Sequence, residues 1–506
     1  MQVHEFSLNS DREVIVKIVR EVLNLFKIQV DENASAPDYQ RFAVVNERLA
    51  GEPARVLTRL TVTRLDGTVS VFEAQGQAAP DEREGAAVHR LIKLNLYHLF
   101  REHFSLPPAP WGILHGVRPT KIVHRFIAGG LTEPEVVARL RREYEASEEK
   151  ASCIARLAFR QLPFLAQSDA HTVSIYVGIP FCLSRCLYCS FPSNVLPGKD
   201  VLDRFMTVWK KDLAAVVAAV EKYHFRVQNI YVGGGTPTSL PDEYFAEMLH
   251  MVYNAFYGPA VVEFTVEAGR PDSMSPAKIR TMQECHVDRV SVNPQTMQLR
   301  TLQRIGRQHT PEAIVQMFRD LRAAGIPQIN MDLIVGLPGE GTADIEDTMQ
   351  KVTALAPDDI TLHALALKRG SRLKLQLDEE GSIEIPDDET VQQMFHIAMD
   401  HVMRAGMAPY YLYRQGYMSG QLENVGCCRP GGEGMYNIQI MEEHQTILGI
   451  GGAATTKVVD FRAGRLKSAF NAKDLTTYLN DIDTYIEKRA LLLEEAYGKG
   501  EEFSSC

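Results

Sequence analysis

Tyr176-Val177-Gly178-Ile179-Pro180-Phe181-Cys182-Leu183-Ser184-Arg185-Cys186-Leu187-Tyr188-Cys189 carries three cysteines in a C-x3-C-x2-C run, directly after the apolar, β-branched stretch 173–177. The cysteines therefore fall in a loop at the end of an expected strand. Thiolates are soft ligands that favour iron–sulfur clusters, Zn or Cu(I). A structural zinc site needs a fourth ligand, with Cys or His pairs at finger-like spacing, and no second pair lies close in the sequence. Three cysteines point instead to a [4Fe–4S] cluster with one iron left open, where a substrate or cofactor can bind.

Outward from this loop, between about 170 and 368, the pattern is strand, loop, helix, repeated. Apolar runs at 173–177, 227–232, 261–266, 289–292, 328–335 and 359–367 are separated by helix-like segments, among them 201–223, 244–256, 276–284, 311–324 and 342–355. Such alternation predicts a parallel sheet covered by helices. Six units are too few for a closed eight-stranded barrel, so the expected class is α/β, a partial (β/α)6 parallel barrel. Parallel α/β folds bind ligands at the carboxyl ends of their strands. The cysteine loop follows the first run, and Gly233-Gly234-Gly235-Thr236-Pro237-Thr238 ends the second. Glu267 ends the third run, Gln295 ends the fourth, and Asp332 lies within the fifth. Five consecutive units thus bring a polar or glycine feature towards one opening. Without Cβ atoms the glycines leave backbone N–H and C=O groups open to a ligand, and the guanidinium of Arg307 suits a carboxylate through a bidentate pair.

Three regions are expected. Residues 1–165 read as a separate α+β N-terminal domain of unknown role, with a strand at 3–8, a helix at 11–26, two strands within 56–72 and a helix at 82–103. Its segment 111–121, punctuated by Gly and Pro and carrying basic residues, reads as an ordered connector, and 131–164 looks helical with Cys153 in the core. Residues 166–370 form the cysteine-bearing core. In 371–506 the alternation stops: a helix at 390–405, an aromatic stretch at 410–414, a loop at 423–432 and a close-packed turn at 449–454 are expected. The adjacent Cys427 and Cys428 chelate one metal poorly and read as structural, and Cys506 as part of a tail.

Across 506 residues the composition is that of a soluble globular protein, 45% hydrophobic and 23% charged, with a formal net charge of −10. That charge speaks against nucleic acid or an anionic membrane surface as partner. No stretch reads as a membrane span or signal peptide. Eight cysteines in so long a chain do not make a disulfide scaffold, and a reducing cytoplasm suits the thiolates.

C-x3-C-x2-C with an aromatic residue before the last cysteine resembles the signature of the radical S-adenosylmethionine (SAM) superfamily. The fuller string from Tyr176 to Cys189 resembles the oxygen-independent coproporphyrinogen III dehydrogenase family, and a segment like 111–121 occurs in its HemZ-type branch. The resemblance implies a partial barrel of radical SAM type, with 371–506 as a C-terminal cover over its mouth. It implies a [4Fe–4S] cluster on Cys182, Cys186 and Cys189, whose open iron is chelated by the amino and carboxylate groups of SAM. One electron from the cluster then cleaves SAM to methionine and a 5′-deoxyadenosyl radical. On the same grounds Gly234, Gly235 and Thr236 contact the methionine end of SAM, and Glu267 pairs with the cofactor. Gln295 and Arg307 make further SAM contacts, Asp332 accepts from the ribose hydroxyls, and Tyr176 and Tyr188 neighbour cluster and adenine.

The implied activity is anaerobic oxidative decarboxylation of coproporphyrinogen III to protoporphyrinogen IX in haem biosynthesis. The radical takes a propionate β-hydrogen, and two SAM are used per product. The substrate carboxylates need cations, for which Arg185, Arg270 and Arg307 are placed candidates, and the electron donor is unidentified. A haem-binding carrier with the cluster, or a radical SAM enzyme modifying haem, are the alternative functions. The sequence departs from the family pattern at Gly178, where many relatives carry His, and at Ser190-Phe191, where the dehydrogenase type often has a further cysteine.

Overall fold

The computed structural model describes the chain apart from residues 35, 368–370, 381–383, 416–417, 461–464 and 499–506. It divides into two compact units, Met1–Arg156 and Leu157–Cys506.

The first unit is a mixed sheet with helices. Strands β1 (Gln2–Leu8), β2 (Tyr39–Leu49), β3 (Arg55–Arg64) and β4 (Val69–Gln77) follow one another across it, and a short strand Gln29–Val30 joins the free edge of β1. Helices α1 (Glu13–Leu25) and α2 (Glu84–Phe104) supply the core, in which Phe42, Leu60, Tyr97 and Phe100 are fully buried. A buried polar group within that core is satisfied: Asn95 Nδ2 on α2 donates to Val56 O at 3.1 Å and to Thr58 Oγ1 at 3.2 Å. Sequence reading missed β2, whose end carries Asn46-Glu47-Arg48 and lacks a continuous apolar run. Its ladder to β3 secures it instead. Segment 111–121 is ordered in this unit: Trp111 is buried, and Ile113 N donates to Tyr144 O at 2.8 Å. Cys153, expected in the core, is half-buried.

The second unit carries the parallel sheet. Its strands are β5 (Thr172–Ile179), β6 (Arg226–Gly234), β7 (Glu263–Gly269), β8 (Arg289–Gln295), β9 (Gln328–Val335) and β10 (Asp359–Ala364), all parallel and paired in chain order. Between them run α3 (Lys199–Lys222), α4 (Asp242–Phe256), α5 (Pro276–Glu284), α6 (Pro311–Ala323) and α7 (Thr342–Ala354). The strands are buried on both faces, as a helix-covered parallel sheet requires, which is why they read as continuous apolar runs. Helix α6 shows how the cover forms. Thr310 caps it by accepting from Ala313 N at 3.3 Å, proline occupies the first turn, and Ile314, Met317, Phe318 and Leu321 form one buried stripe.

The C-terminal stretch differs from the separate cover expected for 371–506. It continues the same sheet: β11 (Ala408–Tyr413) and β12 (Asn424–Cys428) add antiparallel strands beyond β10. After helix α8 (Met435–Glu442), β13 (Thr446–Gly451) lies parallel to β5, followed by the antiparallel β14 (Thr455–Asp460) and β15 (Arg465–Phe470). The expected loop at 423–432 therefore contains a strand, and of the expected turn at 449–454 the first three residues end a strand of the barrel wall while the turn itself falls at 452–453. The glycines misled that reading. A Cβ on Gly451 would stand 2.1 Å from Gly178 O, so glycine is needed for the two strands to close together. The contact is locked from behind: buried Asp212 accepts from Gly451 N at 2.8 Å and pairs with Arg489 at 2.6 Å.

Candidate functional site

Every residue singled out in the cysteine loop and at the strand ends lies in the second unit, and most face the mouth or interior of the partial barrel. The loop leaves β5 through a two-residue strand, Phe181–Cys182, paired with Asn194–Val195. It is clipped at several points. Asn194 N donates to Pro180 O at 2.8 Å, Leu196 N to Cys182 O at 2.9 Å, and Leu187 N to Ile305 O at 3.0 Å. Arg270, beyond β7, donates from Nη1 to Ser184 Oγ at 2.8 Å and to Ser184 O at 3.1 Å.

Cys186 is buried, and Cys182 and Cys189 are half-buried. Burial pushes the Cys189 thiol up, and the charges of Cys186 and Cys182 push the same way, so the three sulfurs sense one another. A bound metal centre relieves that cost by taking the thiolates. Among the described residues no three His, Cys, Asp or Glu side chains gather tightly enough for a single ion. A cluster spreads its thiolates over separate irons.

The glycine run is a cradle set by the loop itself. Gly235 N donates to Ile179 O at 2.8 Å and Thr236 N to Phe181 O at 2.7 Å. A Cβ on Gly235 would lie 2.4 Å from Phe181 O and 3.0 Å from Cys182 Sγ, so only glycine passes here. Thr236 Oγ1 stands 3.6 Å from Cys182 Sγ.

Glu267 and Asp332 occupy the interior with opposite electrostatics. Burial pushes the Glu267 carboxyl up to about 7, the Asp332 charge adding to it, although Tyr231 OH donates to Oε1 at 2.6 Å. For Asp332 burial is outweighed by the neighbouring His363, Asn330 and Thr361, which hold its carboxyl below the ordinary value. Asn330 Nδ2 donates to its Oδ1 at 2.7 Å, and His363 Nε2 lies 3.8 Å from its Oδ2. Tyr176, Tyr231 and Tyr436 stack near-parallel, with centroids 4.4 Å apart for Tyr231–Tyr436 and 6.1 Å for Tyr176–Tyr231.

Gln295 and Arg307 are buried, and Gln295 Oε1 and Arg307 Nε have no hydrogen-bond partner. Gln295 also holds a left-handed backbone at φ 66°, a strained state that in a non-glycine residue clusters at ligand sites. Arg307 Nη1 donates to Asn293 O. Burial opposes its charge, but Tyr188 and Cys186 outweigh burial and raise its pKa. It thus stands against the cysteine loop. Two further substrate cations were expected. Arg270 is 3% exposed and spent on Asp272, at 2.5 Å from Nη2 and 3.0 Å from Nε, as well as on Ser184. Arg185 is exposed.

Sequence reading missed Tyr231, Tyr436 and His363. Tyr231 and Gly233 alternate on β6 and share a face with Glu267, a period-2 signal that was present. Tyr436 sits on α8, and nothing in the sequence brings it to the barrel. His363 lines a pocket of about 380 Å³ at the mouth, with Tyr188, Cys189, Phe191, Ile334 and Leu365.

The residues present fit a thiolate-held cluster with SAM beside it. They offer three cysteines on a clipped loop, a glycine backbone packed close against Cys182, and buried polar atoms of Gln295 and Arg307 without partners.

Comparison with known proteins agrees. The Radical SAM superfamily profile matches residues 176–352. The chain is 34% identical over 467 residues to the oxygen-independent coproporphyrinogen-III oxidase-like protein HemZ of Bacillus subtilis (strain 168), covering 88% of this chain and 92% of that protein. It is 30% identical over 290 residues to the heme chaperone HemW of Mycobacterium tuberculosis, covering 56% of this chain and 70% of that protein. Among solved structures, the coproporphyrinogen III oxidase HemN from Escherichia coli superposes with a TM-score of 0.52 at 20% identity, over 65% of this chain and 72% of that one. The last likeness is one of fold.

Proposed function

We propose, from the premise that the chain belongs to the radical SAM oxygen-independent coproporphyrinogen III oxidase family in its HemZ-type branch, that it converts coproporphyrinogen III to protoporphyrinogen IX. Its cofactors are a [4Fe–4S] cluster and SAM. When bound, they supply a one-electron cleavage that makes a hydrogen-abstracting radical. In the proposed reaction two propionates each lose a β-hydrogen, an electron and CO2 to become vinyl groups.

The chain's own residues bind, orient and exclude water. Cys182, Cys186 and Cys189 would hold the cluster, and the bare backbone of Gly234, Gly235 and Thr236 would receive the amino end of SAM. Arg307 and Gln295 would turn their unpartnered polar atoms to the cofactor. Asp332, kept ionised by its neighbours, would accept from the ribose hydroxyls. Glu267 would make its contact in whichever protonation state the bound cofactor favours, since its pKa near 7 makes both accessible. Tyr176, Tyr231 and Tyr436 close the interior with aromatic surface, which keeps water from a reactive intermediate.

The observation that carries this reading is the largely apolar pocket at the barrel mouth, with Cys189 and His363 among its lining residues. Ligand pockets for large ring systems are of this kind, mostly apolar with few polar groups. A second reading, a haem carrier, draws support from the likeness to heme chaperones. A reducing cytoplasm suits either reading, with an electron donor of unidentified nature. No helix among the described residues is long and apolar enough to cross a membrane.

The test is anaerobic reconstitution with iron and sulfide, followed by SAM, a reductant and coproporphyrinogen III. We expect 5′-deoxyadenosine and, after oxidation, protoporphyrin IX fluorescence to rise together. Deoxyadenosine without protoporphyrin would overturn the substrate assignment. Neither product from a protein with its full cluster would make the haem carrier the leading account.

A further inference from the structure

A tetrapyrrole with propionate arms brings carboxylates to a pocket whose walls are largely apolar, and a carboxylate left unpaired there is costly. Two of the cations that the sequence offered for them are otherwise engaged. Arg270 is tied to Asp272 and Ser184, and Arg307 is buried against Asn293 O and the cysteine loop. Among the described lining residues of the mouth pocket one basic side chain remains, His363. It stands on β10 two residues beyond Thr361, on the same face of the strand, with 26% of its side chain exposed. Behind it, 3.8 Å from Nε2, lies Oδ2 of the half-buried Asp332.

Resting on the tetrapyrrole reading above, we propose that His363 is the carboxylate anchor of the mouth pocket, held through Nε2 by Asp332 and presenting Nδ1–H to a substrate propionate. The argument is one of donors. An imidazolium donates from both ring nitrogens, so one can be committed to Asp332 while the other serves an anion. A carboxylate 3.8 Å behind the ring orients it. A second carboxylate arriving from the pocket then meets a pre-oriented, charge-assisted donor. The arrangement ties two sites together, because Asp332 is also the residue proposed to take the ribose of SAM. A propionate anchored on His363 is thereby registered against the cofactor, as hydrogen abstraction from one chosen carbon demands.

The probe is coproporphyrin III, the stable oxidised form of the proposed substrate, titrated by fluorescence quenching into cluster-loaded protein, alongside its uncharged tetramethyl ester in detergent. His363→Phe keeps the ring volume and removes the donor, whereas His363→Lys keeps a charged donor. We expect His363→Phe to weaken the tetracarboxylate by about ten- to a hundredfold, the worth of one charge-assisted hydrogen bond, and to leave the ester unchanged. His363→Lys should recover most of the loss. Equal affinity of His363→Phe and wild type for the tetracarboxylate would overturn the anchor and leave the tetrapyrrole reading standing. An equal loss for acid and ester would also overturn it, since shape and not charge would then be at work. Failure of the wild type to bind either porphyrin would remove the tetrapyrrole reading and the anchor together.

Discussion

Two cysteine-rich stretches of this chain look alike in sequence and are unlike in structure. Cys182, Cys186 and Cys189 sit in a loop beyond β5, half-buried or buried, with Gly235 just past β6 packed against Cys182. Cys427 and Cys428 sit inside β12, in register with Ile360 and Asp359 of β10 and with Pro409 and Ala408 of β11. Both are buried. In a strand successive side chains point to opposite faces, so the adjacent pair cannot converge on one metal. Cys428 instead meets the Arg160 guanidinium at 3.4 Å, and burial raises its thiol far above the ordinary range, which leaves it inert. Cysteine chemistry here follows from placement and not from density.

The sharpest way to break the comparison is to remove one cysteine from each group. Cys182→Ala, Cys186→Ala or Cys189→Ala should abolish the cluster, with iron and sulfide content falling to background and no 5′-deoxyadenosine formed. Cys428→Ala should keep full iron and cost roughly 1–2 kcal/mol of stability as a small buried cavity, read by chemical denaturation. Iron retained in any variant of the first group, or lost with Cys428, would reverse the assignment.

The two interior carboxylates sharpen it further. Asp332→Asn should leave the cluster intact and weaken SAM by about ten- to a hundredfold, through lost charge-assisted hydrogen bonds, measured by equilibrium binding to the loaded protein. Unchanged affinity would remove the ribose role. The smallest effect is on stability and depends on pH. Glu267 titrates near 7 when folded and near 4.3 when unfolded, so between those values the folded state binds the extra proton and its stability falls as pH rises. Glu267→Gln lacks that penalty. Its melting temperature relative to wild type should therefore climb from pH 5 to pH 8, by on the order of 1–3 kcal/mol in stability. A difference that is flat with pH would contradict the buried, raised carboxyl.

Legibility followed the same physics. Strands β5 to β10 are buried on both faces and appear as uninterrupted apolar runs, so their order and spacing gave the partial barrel. β13 was hidden because Gly449 and Gly451 look like a turn, whereas the close approach to Gly178 and Thr455 is what demands them. β12 was hidden because its sequence, Asn-Val-Gly-Cys-Cys, is short and flanked by loop-like residues. At the site, residues at strand ends were legible by position: the cysteines, Gly234, Gly235, Thr236, Glu267, Gln295 and Asp332. Partnerships were not. That Tyr231 holds Glu267, that Asp332 stands behind His363, and that Arg270 clips Ser184 all depend on pairs far apart in the chain. Arg270 shows the cost, since a cation at a strand end reads as substrate-facing until its buried partners are known.

The central claim is that the cysteine loop holds a cluster with one iron open to SAM. Electron paramagnetic resonance of the anaerobically reduced, reconstituted protein, recorded with and without SAM, tests it most directly. The account predicts a [4Fe–4S]⁺ signal in wild type that changes on adding SAM, and no such signal in Cys186→Ala. A signal that SAM leaves unaltered, or one that survives loss of Cys186, would contradict it.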